Sequence, residues 1–270
     1  MKQLPFRIGT TSYIVPDEIL PNVHFLADQV DDIELVLFEV DHGPNNLPDA
    51  ETIRELRMVA QQHQLSYTVH LPLDLHMATD GSEQHISIRK ASKVIECTLE
   101  LNPWAFVLHL DGREILHNTD PANIENWNNQ ASRALKIVAD LVQDARLLSV
   151  ENLEKYPPNF WDEVLKRSAV SRCIDIGHLW YDGLDPIPYL EKYIDGARVL
   201  HIHGIAERDH KSLNNVPIIE LTRVMNFILR SGFQGVLTVE VFGEEDFKSS
   251  MAAVQEALNR LSLEGLWENK

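Results

Sequence analysis

The sequence predicts an α/β protein, a single (β/α)8 TIM barrel over residues 1–270. Three observations predict it. Short runs rich in Val, Ile and Leu alternate with amphipathic stretches, as parallel strands buried on both faces alternate with helical crossovers. Eight such pairs can be read, enough for the sheet to close on itself. The turn after the first strand, "IGTTSY", is not the glycine-rich phosphate loop that an open doubly wound sheet would carry there.

The strands are expected at "FRIG" near residue 6, "IELVLFE" from 33, "YTVHL" from 67, "WAFVLHL" from 104, "LLSVEN" from 147, "RCIDIGH" from 172, "RVLHIH" from 198 and "GVLTVEVF" from 235. Between them, "LPDAETIRELRMVAQQHQ" has Pro48 near its start and places Ile53, Leu56, Val59 and Ala60 on one helical face. "TDPANIENWNNQASRALKIVADLV" opens with Asp120 as N-cap and Pro121 as first helical residue. "VPIIELTRVMNFILRSGF" closes at Gly232, and a last helix is expected from about Glu245 to Leu261.

Composition narrows the class. Charged residues at 24% and hydrophobic residues at 44% are ordinary for a soluble globular chain. No run of about 18 apolar residues is present, so no membrane span is expected. The opening "MKQLPFRIGTTSY" lacks the apolar core of a signal peptide. Two cysteines, Cys97 and Cys173, make no disulfide framework; a reducing, cytoplasmic location is the expectation. The net charge of −17 argues against a duplex nucleic-acid partner, which needs a basic surface.

Function in such a barrel belongs at the C-terminal strand ends. Read in order, those ends carry His70, His109, Glu151, Asp175 with His178, His201 with His203, and Glu240; the loop after the seventh strand adds Asp209 and His210. Acids aimed into one mouth repel each other unless a cation neutralises them, and imidazole with carboxylate suits zinc, manganese or iron(II). His201 and His203 point the same way, since strand side chains alternate, and the spacing does not choose between them. His24, His42, His63, His85 and His117 fall on helices or outer loops and are read as surface; His76 is within reach of the mouth.

These residues resemble the xylose isomerase-like TIM-barrel superfamily, which holds sugar isomerases and epimerases together with the endonuclease IV group. The shared quartet is Glu151, Asp175, His201 or His203, and Glu240. "HLP" at His70, the strand-end His109, "EN" at Glu151 and "CIDIGH" resemble the endonuclease IV branch; its Asp-x-His pair is only approximated by adjacent Asp209 and His210 in "RDHK". Within the superfamily, "IGTTSYIVPDEILPN", "DDIELVLFE", "VHLPLDL", "CIDIGHLW" and "LHIHG" look most like the cobamide-remodelling phosphodiesterases.

That resemblance implies hydrolysis of the nucleotide-loop phosphodiester of a cobamide by two or three divalent ions (zinc, iron or manganese). Glu151, Asp175 and Glu240 would serve the chemistry, with Glu151 shared between ions. His70, His109, Asp175 and Glu240 would ligate one side, and His178, His201 or His203, Asp209 and His210 the other. Arg113, Arg208 or Lys211 would meet a phosphate oxygen, and Tyr13, Trp180 and Tyr181 would wall a bulky ring system. The first alternative is a sugar or sugar-phosphate isomerase or epimerase, which needs one metal and two acid/base groups. A second is an abasic-site endonuclease, which the charge disfavours. A third is a barrel that binds metal or corrinoid without turnover.

Overall fold

A computed structural model describes residues 4–39, 45–78 and 80–263. Eight parallel strands close in sequence order: β1 (Arg7–Thr11), β2 (Asp32–Val36), β3 (Ser66–His70), β4 (Ala105–Leu108), β5 (Leu148–Glu151), β6 (Ser171–Asp175), β7 (Ala197–Ile202) and β8 (Val236–Val239). Between and after them lie α1 (Ile19–Leu26), α2 (Ala50–His63), α3 (Ile86–Thr98), α4 (Pro121–Ala139), α5 (Asp162–Lys166), α6 (Ile176–Tyr181), α7 (Pro186–Tyr193), α8 (Ile218–Ser231) and α9 (Glu244–Leu263). None of the described helices is long and apolar enough to cross a membrane.

Local chemistry sets the helix ends. Asp120 caps α4 by accepting from Ala122 N at 2.9 Å, with Pro121 as the first helical residue. Gly232 ends α8 at φ 76°, in the left-handed region. In α2 the cap is Asp49, which accepts from Thr52 N at 2.8 Å, so Pro48 stands just ahead of the helix rather than inside it. Ile53, Leu56 and Val59 are buried as the periodicity requires, while Ala60 is half-buried. His42 lies outside the described residues.

Strand alternation divides the chain into two cores. On β2, Ile33 and Leu35 join the large core between strands and helices. Asp32 and Glu34 take the alternate positions, and Val36 reaches the mouth lining. A small separate cluster, Ala105, Val107, Cys173 and Val199, packs with Trp104. Trp104 precedes β4, and the Arg7 and Arg198 guanidiniums stand 3.9 and 4.0 Å from its ring.

Asp32 is fully buried. Its Oδ2 accepts from Ser66 Oγ at 2.5 Å, and its Oδ1 has no hydrogen-bond partner. Burial raises its pKa to about 6, against the lowering by Ser66, Arg7 and Thr68. The folded chain thus holds this proton more tightly than the unfolded chain. Stability falls as pH rises from about 4 to about 6, and the penalty is complete above that window. Asp32→Asn is therefore expected to stabilise the protein at pH 7 by about 1–3 kcal/mol and to flatten this dependence. Urea unfolding at pH 4.5 and pH 7 measures both; a variant less stable than wild type at pH 7 contradicts the assignment.

Candidate metal centre at the barrel mouth

The C-terminal strand ends present a ring of acids and imidazoles around Glu151, the last residue of β5. Its Oε2 lies 3.1 Å from His109 Nε2 and 3.5 Å from His70 Nε2, while Oε1 lies 3.3 Å from His201 Nδ1 and 3.8 Å from His178 Nδ1. Glu240, just past β8, brings Oε2 to 3.0 Å from His201 Nδ1 and 3.4 Å from His210 Nε2. Asp175 ends β6 and caps α6, accepting from His178 N at 2.8 Å. Strand runs straight into helix here, so His178 rides on α6 rather than at the end of the strand expected over "RCIDIGH". His203 follows β7, with Nε2 3.4 Å from Asp175 Oδ1 and its ring stacked on His210 at 4.3 Å.

The ligand atoms fall into overlapping groups, each within 4.8 Å: Glu151, Asp175, His201 and Glu240; His70, His109 and Glu151; Asp175, His178, His203 and His210; and Glu151, Cys173 and His201. The structure thus separates the two histidines that the spacing left open, His201 toward the carboxylate quartet and His203 toward His178 and His210. Cys173 sits in the small apolar cluster, and burial pushes its thiol well up.

These groups fit a divalent cation. Asp175, His203 and Glu240 are buried, and Asp175 Oδ2, His203 Nε2 and Glu240 Oε2 meet neighbouring imidazoles or carboxylates at 3.0–3.4 Å without a well-aligned hydrogen bond. Such atoms are costly to bury unless something else satisfies them. Protons compete for the same lone pairs. Burial would raise the Glu151 carboxyl, but His201 and His109 hold it well below the carboxylate range. His201 and His210 do the same for Glu240. Against the lowering effect of burial, Glu151 and Asp74 push His109 up to about 10, and Glu240 and Asp175 push His210 up to about 10. Binding a cation here must displace protons from imidazole.

Over this floor lies a cleft of about 560 Å³, lined by His70, His109, Glu151, His178, Asp209, His210 and Glu240, with Arg113, Lys155, Tyr156 and Phe242 among its walls. That is the size range of small-molecule sites. Asp175, His201 and His203 lie buried beneath it. Leu73, Lys155 and His210, on the loops past β3, β5 and β7, hold φ of 61°, 66° and 52°. Strain of this kind gathers at functional sites.

Several expected site residues are elsewhere. Trp180 lines a different groove with Leu184 and Pro217. Tyr13 is exposed and packs edge-on against Phe38 at 5.8 Å, and Tyr181 is exposed beneath Lys155. Neither lines the cleft. Of the cations offered to a phosphate, Arg113 is held by Asp111 at 2.9 Å and Asp74 at 3.3 Å, and Lys211 by Asp246 at 3.4 Å. Arg208 is exposed and outside the cleft lining. Asp209 lines the cleft but turns Oδ1 to His210 Nδ1 at 3.2 Å. His76 packs at a tilt against His85, ring centroids 3.5 Å apart, instead of entering the mouth, and His85, which caps α3, is half-buried rather than surface.

Three residues escaped the sequence reading. Glu34 is fully buried inside β2 and lies 2.9 Å from His201 Nε2; an acid between apolar neighbours in a doubly buried strand was its signal. Asn152 donates to Asp175 O and accepts from Asp175 N, both at 2.9 Å, tying β5 to β6. Asp74 lies 3.3 Å from His109 Nδ1, on the side of the ring away from Glu151.

Residues 28–262 match the xylose isomerase-like TIM barrel family, and the chain belongs to it. Solved structures agree on the fold. A D-tagatose 3-epimerase-like protein superposes with a TM-score of 0.74 at 20% identity, covering 96% of this chain and 99% of that one. An L-ribulose 3-epimerase gives 0.68 at 15%, covering 96% and 97%. The TTHB071 protein from Thermus thermophilus, soaked with zinc chloride, gives 0.63 at 19%, covering 95% and 99%. No curated protein matches the chain by sequence. The expectation of a cobamide phosphodiesterase is corrected here: the barrels this chain resembles include several sugar epimerases and a sugar phosphate isomerase/epimerase, the first alternative above.

Proposed function

We propose that the protein is a divalent-metal-dependent epimerase or isomerase of a small sugar. The observation that carries this reading is the convergence of two glutamates, Glu151 and Glu240, with Asp175 and His201 within 4.8 Å at the floor of a small-molecule cleft. Inverting a hydroxyl-bearing carbon beside a carbonyl needs a base on one face and an acid on the other. One glutamate removes the proton and the C–H electron pair moves into the carbonyl system; the other, protonated, returns a proton to the opposite face. A cation on the quartet, when bound, would polarise the sugar carbonyl. Asp175 and His201, buried below the two glutamates, would hold that cation. Asn152 fixes the Asp175 backbone.

Two further ligand groups, His70–His109–Glu151 and Asp175–His178–His203–His210, would accept a second and a third ion. Their imidazole content favours zinc, iron(II) or manganese. Elemental mass spectrometry on protein purified without chelator is expected to find at least one equivalent per chain. Ketohexoses and ketopentoses incubated in D2O with that protein are expected to yield epimer carrying deuterium at the inverted carbon. Metal-loaded protein that neither exchanges a proton nor inverts any member of such a panel contradicts the epimerase reading.

A further inference from the structure

We propose that Glu34 is a positioning residue for the metal: it fixes the tautomer and the ring orientation of His201. The inference rests on the reading of the quartet as a cation site and concerns a residue outside it. His201 is fully buried and its two nitrogens face different partners. Nδ1 looks into the quartet, 3.0 Å from Glu240 Oε2 and 3.3 Å from Glu151 Oε1. Nε2 looks away from it, 2.9 Å from Glu34 Oε2.

A neutral imidazole has one N–H and one lone pair. A cation on the quartet needs the lone pair on Nδ1, so the proton must sit on Nε2 and requires an acceptor there. Glu34 is that acceptor. As an anion it also raises the basicity of the ring, and so the donor strength of Nδ1. The second carboxylate oxygen of Glu34 has no competing role: Oε1 is buried and has no hydrogen-bond partner. A fully buried carboxylate with one contact to an imidazole is a poor device for stability, because desolvation outweighs what a single bond returns. It is a good device for orienting a ligand.

The backbone places it there without freedom. Glu34 pairs in register with Thr11 of β1 and Thr68 of β3, so its side chain enters from the β2 wall while His201 enters from β7. The two span the barrel interior 167 residues apart in sequence. No neighbouring loop can adjust the contact.

The test is zinc affinity, read by competition with a chromophoric chelator on metal-free protein, for wild type, Glu34→Leu and Glu34→Gln. Leucine keeps the bulk and removes the acceptor; zinc affinity is expected to fall about 10- to 100-fold. Glutamine keeps a carbonyl acceptor and loses the charge, so its loss is expected to be smaller. The thermal midpoint of metal-free Glu34→Leu is expected to equal or exceed that of wild type, since a buried carboxylate is gone. Should the leucine chain not fold, the near-isosteric glutamine variant decides alone. Zinc affinities within twofold of wild type in the folded variants overturn the proposal and leave the quartet standing. Wild-type protein that binds no zinc overturns the quartet reading and this one together. Because the readout is metal binding without substrate, failure of the epimerase assay bears on neither result.

Discussion

Glu151→Gln is expected to lower turnover of a ketose substrate by about 10²- to 10⁴-fold, the range for losing a positioned acid or base. Glu151 is nearly fully buried and touches His70, His109, His178 and His201 at once. Glutamine keeps its shape and removes the charge that holds these imidazoles together. Glu240→Gln is expected to cost a similar factor. The pair is more informative than either alone. With one base on each face, each variant should still exchange with D2O the proton of the epimer whose base is intact, without converting it. Nuclear magnetic resonance of both epimers in D2O reads this directly. Turnover within tenfold of wild type in both variants excludes the two-glutamate mechanism.

Gly204→Ala is expected to destabilise the fold by about 1–3 kcal/mol, the usual cost of overpacking. A Cβ at Gly204 would stand 1.9 Å from Ser212 O and 2.7 Å from Ser212 C, which are backbone atoms that no side-chain rotation relieves. Gly204 N donates to Lys211 O at 2.6 Å and Lys211 N donates to Gly204 O at 2.9 Å, closing the loop that carries His210. Forcing the two arms of this loop apart moves His210 from its stack on His203 and from Glu240. A lower thermal midpoint should therefore accompany weaker binding of any ion held by the His178–His203–His210 group. Gly243→Ala is the matched control, since a Cβ there meets nothing within 4 Å. A Gly204→Ala chain as stable as the control contradicts the packing argument.

The elements that were legible in the sequence are those with a local physical signature. Alternating apolar runs and helical stretches identify β1 to β8 because a strand buried on both faces must be apolar almost throughout. Asp120 with Pro121, and Gly232, mark helix ends through requirements met within three or four residues. His70, His109, Glu151, Asp175, His201 and Glu240 could be nominated because the barrel puts function at one end of every strand. Trp180 and Tyr181 could not be placed, because position just past a strand end does not say where a side chain leaves a helix. Both sit on α6, which begins where β6 stops.

By itself, then, the sequence determined the barrel, the end of it where the candidate site lies and the acid–imidazole character of the mouth. All three follow from periodicity and strand order, which are one-dimensional. Only the tertiary structure decided which histidine faces which carboxylate, that the mouth opens into a cleft of small-molecule size, and that Arg113 and Lys211 are held by acids. It also brought Glu34 from β2 to His201 on β7. Contacts across a closed barrel depend on stagger between strands far apart in the chain, and no spacing along the chain encodes a distance across its interior.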